Sequence, residues 1–309
     1  MEKMKKIVIF LLFIITVVVY GSEITPYFSP QDKLDQRILE KLKEAKKSIY
    51  IVSYTFNWEQ ANKILNLLAD RGVKIKILLQ FPPEYFFNKS KNIDVKKWTK
   101  SSCAMHAKFI VIDTENVIVG SANFSQSSLI WDSNNILFIR DKKIAEFFEN
   151  NFFSLWSGRT NLTSYSASDI SIYFSPSTDC ISLIANEIKN AKKTIKFTIF
   201  SFTSDIISEE ICRAGMKGIN IYGIFEGSQN PFSNEYSFLK RFKFFNIKKD
   251  CFVENIHDKT MIIDDATVLT GSFNYSESAS KNVETFIVLK QPESVNLYVR
   301  RFRYLWIWY

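Results

Sequence analysis

The stretch HAKFIVIDTENVIVGSANFS, residues 106–125, places His, Lys, Asp, a Gly-Ser pair and Asn at set intervals along two apolar runs. Residues 257–276, HDKTMIIDDATVLTGSFNYS, do the same. Both fit His-x-Lys, four residues, Asp, six residues, Gly-Ser-x-Asn. Six specified residues at about one in twenty each match by chance roughly once in 10⁷–10⁸ starts. Two copies in one chain are therefore not an accident.

The duplication extends outward from the motif. YFSP at residues 27–30 returns at 173–176, KLKEAKKSIYIVSYTF at 41–56 answers EIKNAKKTIKFTIFSF at 187–202, and RGVKIKILLQ at 71–80 answers KGINIYGIFE at 217–226, all at an offset of 146. The motif follows at an offset of 151, and NFFSLW at 151–156 answers RFRYLW at 301–306 at 150. Nearly the whole chain after residue 22 is written twice.

Each copy alternates helical and strand patterns. In the first, residues 33–45 carry Leu34, Ile38, Leu42 and Ala45 at helical spacing, and 48–56 form a β-branched and aromatic run. Residues 61–69 predict a second helix, closed by Arg71-Gly72, before a strand at 73–79. Short strands at 109–112 and 117–119 flank a turn at 114–116; a strand at 136–139 and a helix at 142–156 follow. The expected class is α/β: two repeated halves, each a mixed, largely parallel sheet flanked by helices, packed about a pseudo-two-fold axis. The halves are expected at 23–156 and 170–309, joined by a Ser/Thr/Asn-rich linker at 157–169.

Residues 1–22 have a different character. Lys3, Lys5 and Lys6 precede an uncharged apolar run at 7–20, then Gly21 and Ser22. This is the layout of a secretory signal peptide, short of the about 20 residues a span needs. Secretion or periplasmic export is expected, with an uncleaved membrane anchor as the alternative. The net charge of +8 loses +2 with this segment and keeps +6, which favours an anionic partner, nucleic acid or an acidic membrane. Outside the cytoplasm Cys103, Cys180, Cys212 and Cys251 could pair in three ways or stay as buried thiols. No cysteine-histidine spacing suits zinc.

The motif's chemistry follows from its residue types. On a strand, His106 and Lys108 share a face, as do His257 and Lys259. An ammonium beside an imidazole suits an anion such as phosphate. The returning Gly-Ser-x-Asn brings Gly120, Ser121 and Asn123, or Gly271, Ser272 and Asn274, to the same end, where glycine permits close approach and Ser and Asn offer donors. The two histidines are the only ones in 309 residues, and both fill the same motif position. Asp113 and Asp264 begin turns, where aspartate holds backbone, so a structural role is expected of them.

With these residues the chain resembles the phospholipase D superfamily, the phosphodiesterases with two His-Lys-Asp motifs. The resemblance covers both copies. It implies one active site at the repeat interface, with one histidine attacking phosphorus to give a phosphohistidine and the other serving as general acid and then base. It implies no metal and no other cofactor. His106 and His257 become the catalytic pair, with Lys108, Lys259, Asn123, Asn274, Ser121 and Ser272 as phosphate holders. One chain carrying both motifs is expected to act as a monomer.

The family places a polar residue downstream of each motif to orient its histidine. Glu284 fills that place in the second copy and Asn134 in the first. A carboxylate beside His257 would favour its imidazolium and make it the acid, leaving His106, beside a neutral amide, as nucleophile.

Substrate is less legible. The loops at 81–105 and 227–255 mix lysines and arginines with aromatics. That suits single-stranded nucleic acid or an anionic lipid interface. The export signal and the basic, aromatic RRFRYLWIWY at 300–309 favour phospholipid headgroups over a secreted endonuclease. A non-catalytic binding module is disfavoured, because both motifs are intact.

Overall fold

The computed structural model describes residues 22–83, 91–229, 235–250 and 254–309. Residues 1–21 of the expected export segment and Cys251 lie outside the described residues, as do parts of both basic loops. Each half is an 8-stranded sheet. The first runs Ile93–Lys97, Lys74–Phe81, Ser48–Asn57, Phe109–Ile112, Asn116–Gly120, Asn135–Arg140, Glu23–Phe28, with Phe124–Ser125 beside Ser48–Asn57. The second repeats this order with Phe245–Lys249, Asn220–Phe225, Thr194–Ile199, Lys259–Ile263, Thr267–Gly271, Glu284–Leu289 and Ile170–Ser175, then adds Tyr165–Ser166. The expected linker therefore supplies a strand to the second sheet.

The sheets are mixed, but not largely parallel. Parallel pairing is confined to the side of Ser48–Asn57 and Thr194–Ile199 that leads to the edge, plus the short strand Phe124–Ser125. Every other pair is antiparallel. The helix-strand alternation that suggests crossovers holds only for the first part of each half; the motif itself is a hairpin, and hairpins pair antiparallel.

The apolar runs are continuous because the central strands are covered on both faces. Along Ser48–Asn57, Ile49 and Ile51 pack outward beneath the helices Leu34–Lys43 and Glu59–Asp70. Tyr50 and Val52 pack inward, in a central core shared by both halves. Phe109 and Val111 of the first half meet Ile262, Val268 and Ile287 of the second there. The closing helices Lys142–Trp156 and Pro292–Trp308 also feed this core. The halves are thus joined by a hydrophobic interior, and a pseudo-two-fold relates their contacts. Met105 bridges Val283, and the repeat-equivalent Ile256 bridges Ser133.

Asp113 and Asp264 hold each hairpin to its sheet. Asp113 accepts from the backbone N–H of Lys46, Lys47 and Ser48 at 2.8, 2.7 and 2.9 Å. Asp264 accepts from Lys192, Lys193 and Thr194 at 2.7, 2.7 and 2.9 Å. The motif glycines approach protein backbone: a Cβ on Gly120 would stand 2.2 Å from the Asn135 carbonyl oxygen, and one on Gly271 2.3 Å from that of Thr285. Gly271 also has a φ of 126°. Gly271→Ala is expected to cost roughly 2–4 kcal/mol, from overpacking against backbone together with the left-handed φ. Urea unfolding monitored by circular dichroism measures this loss.

Candidate active site

Both motif histidines sit where the halves meet. The chain at 105–108 is irregular and becomes a strand at Phe109, while its counterpart becomes one at Lys259. The expected alternation still holds: Met105, Ala107 and Phe109 enter the central core, leaving His106 and Lys108 on the other side. Backbone bonds across the seam fix these segments. The His106 N–H donates to the Val283 carbonyl at 2.9 Å, and the His257 N–H to that of Ser133 at 2.8 Å. Gln80 and Glu226, at equivalent strand ends, accept the N–H of Met105 at 2.7 Å and of Ile256 at 2.5 Å.

The orienting residues are crossed relative to expectation. Glu284 does not hold His257. It accepts from His106 Nδ1, with both carboxylate oxygens at 2.8 Å. His257 Nδ1 instead lies 3.0 Å from Asn134 Oδ1. The reason is the seam: Glu284 opens the strand after its hairpin and Asn134 just precedes the equivalent strand, and the residues before them, Val283 and Ser133, are the ones whose carbonyls bond the other half's histidine. The Asn134 amide has a set orientation, because its Nδ2 donates to the Ser128 carbonyl at 2.8 Å. Its oxygen therefore faces His257, which must carry its proton on Nδ1. Glu284 likewise demands a proton on His106 Nδ1. In both rings Nε2 is left for chemistry.

Ser121 and Ser272, expected to hold phosphate, bond instead within the protein. Both are buried, and their hydroxyls donate to the orienting groups: Ser121 to Asn134 Oδ1 at 2.9 Å and Ser272 to Glu284 Oε2 at 2.5 Å. Asn123 and Asn274 differ: each keeps its Oδ1 buried without a hydrogen-bond partner among the described residues. Lys108 and Lys259 are buried, and each Nζ donates back to its own motif's histidine carbonyl, at 2.5 and 2.7 Å. Two residues went unnoticed in the sequence. Tyr54 packs edge-on to His106 at 5.3 Å between centroids, and the equivalent Phe200 lies 4.7 Å from His257. Lys259 Nζ stands 4.8 Å from the Phe200 ring. Their shared offset of 146 at the ends of equivalent strands was the available signal.

The charge balance is one-sided. Two lysines and two histidines face the carboxylate of Glu284, with Asp258 and Asp132 also acting on Lys259. Burial pushes the Lys108 ammonium down to about 8, against the pull of Glu284. Burial, with help from Lys108, takes Lys259 well below the ordinary lysine value. His106 is lowered by burial, opposed by Glu284 and reinforced by Lys108 and Lys259. His257 falls well below the ordinary value through burial, then Lys259, Lys108 and His106. A bound anion would relieve all four. Among the described residues no three His, Cys, Asp or Glu side chains converge as a metal site.

The basic loops do not present all their cations to this site. Lys96 Nζ caps the Trp156 carbonyl at 2.6 Å and Lys248 Nζ that of Trp306 at 2.7 Å, each over the indole it caps. Trp98 is buried and donates to the Cys103 carbonyl at 2.9 Å. Cys103, Cys180 and Cys212 are buried free thiols. Among the described residues no helix is long and apolar enough to cross a membrane.

Two matched halves with one paired-histidine anion site at their seam define a class of two-motif phosphodiesterases. The family model described as "Cardiolipin synthase, PLD-like domain" matches twice, at residues 38–156 and 184–306, and the chain belongs to the phospholipase D superfamily. It is 33% identical over 140 residues to a phospholipase D of Rickettsia prowazekii (strain Madrid E), across 43% of this chain and 67% of that one. Against a mitochondrial cardiolipin hydrolase of Xenopus tropicalis it is 26% identical over 132 residues, covering 40% of this chain and 62% of the relative. The structure of phosphatidylserine synthase from Haemophilus influenzae Rd KW20 superposes with a TM-score of 0.71 at 14% identity, over 91% of this chain and 85% of that one; at this identity the likeness is one of fold.

Because the chain has only two histidines, the crossed pairing is open to direct measurement. In Glu284→Gln the His106 titration should fall by about one unit, the scale of a lost neighbouring charge, while His257 moves little. Imidazole NMR titration reads both rings. A shift confined to His257 would contradict the pairing.

Proposed function

We propose that the protein is a phospholipase D that hydrolyses phospholipid headgroup diesters through a phosphohistidine on His106. The observation that carries this is the cluster of buried Lys108, Lys259 and His257 with half-buried His106 beside Glu284, both Nδ1 atoms being held by side chains across the seam. Such a cluster carries excess positive charge, which a phosphodiester monoanion offsets.

The division of labour follows from where charge develops. Attack by His106 Nε2 forms a P–N bond and leaves the ring positively charged. Glu284, on the Nδ1 proton of that ring, stabilises this charge more than it stabilises the neutral ground state, which is what accelerates a step. His257 does the opposite: it starts protonated, gives its Nε2 proton to the leaving headgroup oxygen as the P–O bond breaks, and ends neutral. A neutral partner, Asn134, and a lowered pKa suit a group that must release a proton. Water then attacks phosphorus, His257 takes its proton, the P–N bond breaks, and phosphatidic acid leaves. His106 thus stays the nucleophile, but for a reason opposite to the one given from the sequence, where a carboxylate partner marked the acid.

The lipid substrate is supported by what the relatives are named, a phospholipase D and a cardiolipin hydrolase, and by the apolar N-terminal segment that would export the enzyme to a membrane. Export and a monomeric state belong to the same proposal. The site chemistry itself is indifferent to which alcohol leaves, so nuclease action is the outcome to test against.

With EDTA present, vesicles of cardiolipin, phosphatidylglycerol or phosphatidylcholine are expected to yield free headgroup and phosphatidic acid, and a phosphatidyl ester when a primary alcohol is supplied. Ammonium groups stand where a hydrolytic metal would, so chelation should leave turnover unchanged. Cleavage of plasmid DNA with every phospholipid left intact would replace this substrate. His257→Ala should accumulate an acid-labile adduct on His106 from an aryl diester, whose leaving group needs little protonation. His106→Ala should give none, and mass spectrometry of quenched samples decides. Since His257 must be protonated in free enzyme and its pKa is lowered, kcat/KM should fall as pH rises through a value below that of ordinary histidine. The pH profile of the unaltered protein reads this limb; a limb above the ordinary value would contradict the assignment.

A further inference from the structure

Three of the nine large apolar side chains exposed among the described residues share one cavity, Trp131 at 61%, Tyr304 at 41% and Trp308 at 63%, and a fourth, Ile307 at 80%, is exposed next to Trp308 on the same helix. Trp131 follows the first motif, while the others end the helix Pro292–Trp308. The two segments are far apart in sequence but line one cavity of about 330 Å³, with Trp131, Tyr304 and Trp308 among its walls. Arg301 lies against it, 8% exposed, donating from Nη2 to the Ser29 carbonyl at 2.7 Å and the Ser133 hydroxyl at 2.9 Å, and from Nη1 to Gln31. Its Nε is buried with no partner among the described residues. Arg300 and Arg303 are exposed. Residues 300, 303, 304, 307 and 308 fall at helical spacing on one stripe, so cations and apolar groups face outward together.

This face is joined to the active site through Ser133 and Asn134. Ser133 lines the cavity, and its carbonyl accepts the His257 N–H at 2.8 Å. The next residue, Asn134, holds the His257 ring at 3.0 Å. A surface pressed onto the cavity rim therefore sits one residue from the group that orients a motif histidine.

We propose that this face seats the enzyme on an anionic phospholipid bilayer, with Trp131, Tyr304, Ile307 and Trp308 entering the headgroup region and Arg300 and Arg303 meeting its charge. The motive rests on the lipid reading above. Tryptophan and tyrosine settle at the depth of lipid headgroups, and arginine is attracted to acidic lipids. The aliphatic Ile307, the most exposed of the four, argues for a bilayer over a single-stranded nucleic acid. A base stacks on flat rings, whereas an isoleucine gains by leaving water for an apolar phase.

The test uses the full chain carrying Trp131→Ser, Ile307→Ser and Trp308→Ser together, compared with the unaltered protein. All three side chains are exposed and outside the site, so the fold should tolerate them. Cosedimentation with phosphatidylglycerol/phosphatidylcholine vesicles should weaken by roughly ten-fold or more, and vesicle hydrolysis should fall with it. Hydrolysis of the soluble diester bis(p-nitrophenyl) phosphate should not change. Arg300→Gln with Arg303→Gln should weaken binding to vesicles containing phosphatidylglycerol and leave pure phosphatidylcholine binding as it was. Undiminished vesicle binding by the triple variant overturns the proposal. So does an equal loss on both substrates, which marks a structural role, or a change from dimer to monomer in gel filtration, which marks a contact between copies. Lost single-stranded DNA binding with intact vesicle binding overturns it as well. If the unaltered protein cleaves no phospholipid while the triple variant alone fails to sediment with vesicles, the substrate reading falls and the docking surface stands.

Discussion

Two hydrogen bonds across the seam between the halves govern the site: His106 Nδ1 to Glu284, and His257 Nδ1 to Asn134. Each takes its histidine from one copy of the repeat and its acceptor from the other. Neither half alone can orient its own ring. The tautomer of both imidazoles, and so the availability of both Nε2 atoms, depends on the halves staying docked. Docking in turn rests on the shared central core and on backbone bonds that tie Val283 to Ala104 and Ser133 to Asn255, both at 2.8 Å. Packing and chemistry are one constraint here, because burying this seam is also what lowers the pKa values of the groups within it.

The two copies have drifted apart where drift is useful. Ala107 occupies the place in the first motif that Asp258 holds in the second. Asp258 is buried and accepts from the Ser133 hydroxyl and the Asn135 amide, each at 2.7 Å. Asn135 is satisfied on both ends: its Nδ2 also reaches Thr260 Oγ1, and its oxygen accepts from Thr270 at 2.7 Å and Tyr298 at 2.9 Å. A buried polar hub left half-bonded would cost more than an apolar one, so its completeness fixes how the halves sit. The Glu284/Asn134 difference is drift of the same kind, with a chemical consequence: one ring has a charge to lean on and the other has not.

The fold was legible because duplication and periodicity are local in the chain. The helix at Lys142–Trp156 and the strand at Phe109–Ile112 stand where their patterns placed them. Strand direction was less legible, since alternation of helix and strand suggests crossovers while hairpins within each half make most neighbours antiparallel. The roles of the loop cations were not legible either. Lys96 and Lys248 look like nucleic-acid or lipid contacts in the sequence, yet each is bound to a tryptophan in the last turn of a closing helix.

By itself, the sequence determined that the chain is doubled, that two histidines and two lysines fill equivalent motif places, and that Asp113 and Asp264 begin turns. The motif places and the turns are matters of residue type and spacing within some twenty positions, and the doubling is the same pattern met again about 150 residues on. Only the tertiary structure decided that Glu284 belongs to His106 and Asn134 to His257, that the Ser121 and Ser272 hydroxyls bond to those acceptors, and that Trp131 shares a cavity with Trp308. These contacts join residues 12 to 178 positions apart. The longer ones follow from how two sheets close on each other, and a pattern that repeats within each half carries no record of which half its side chains will face.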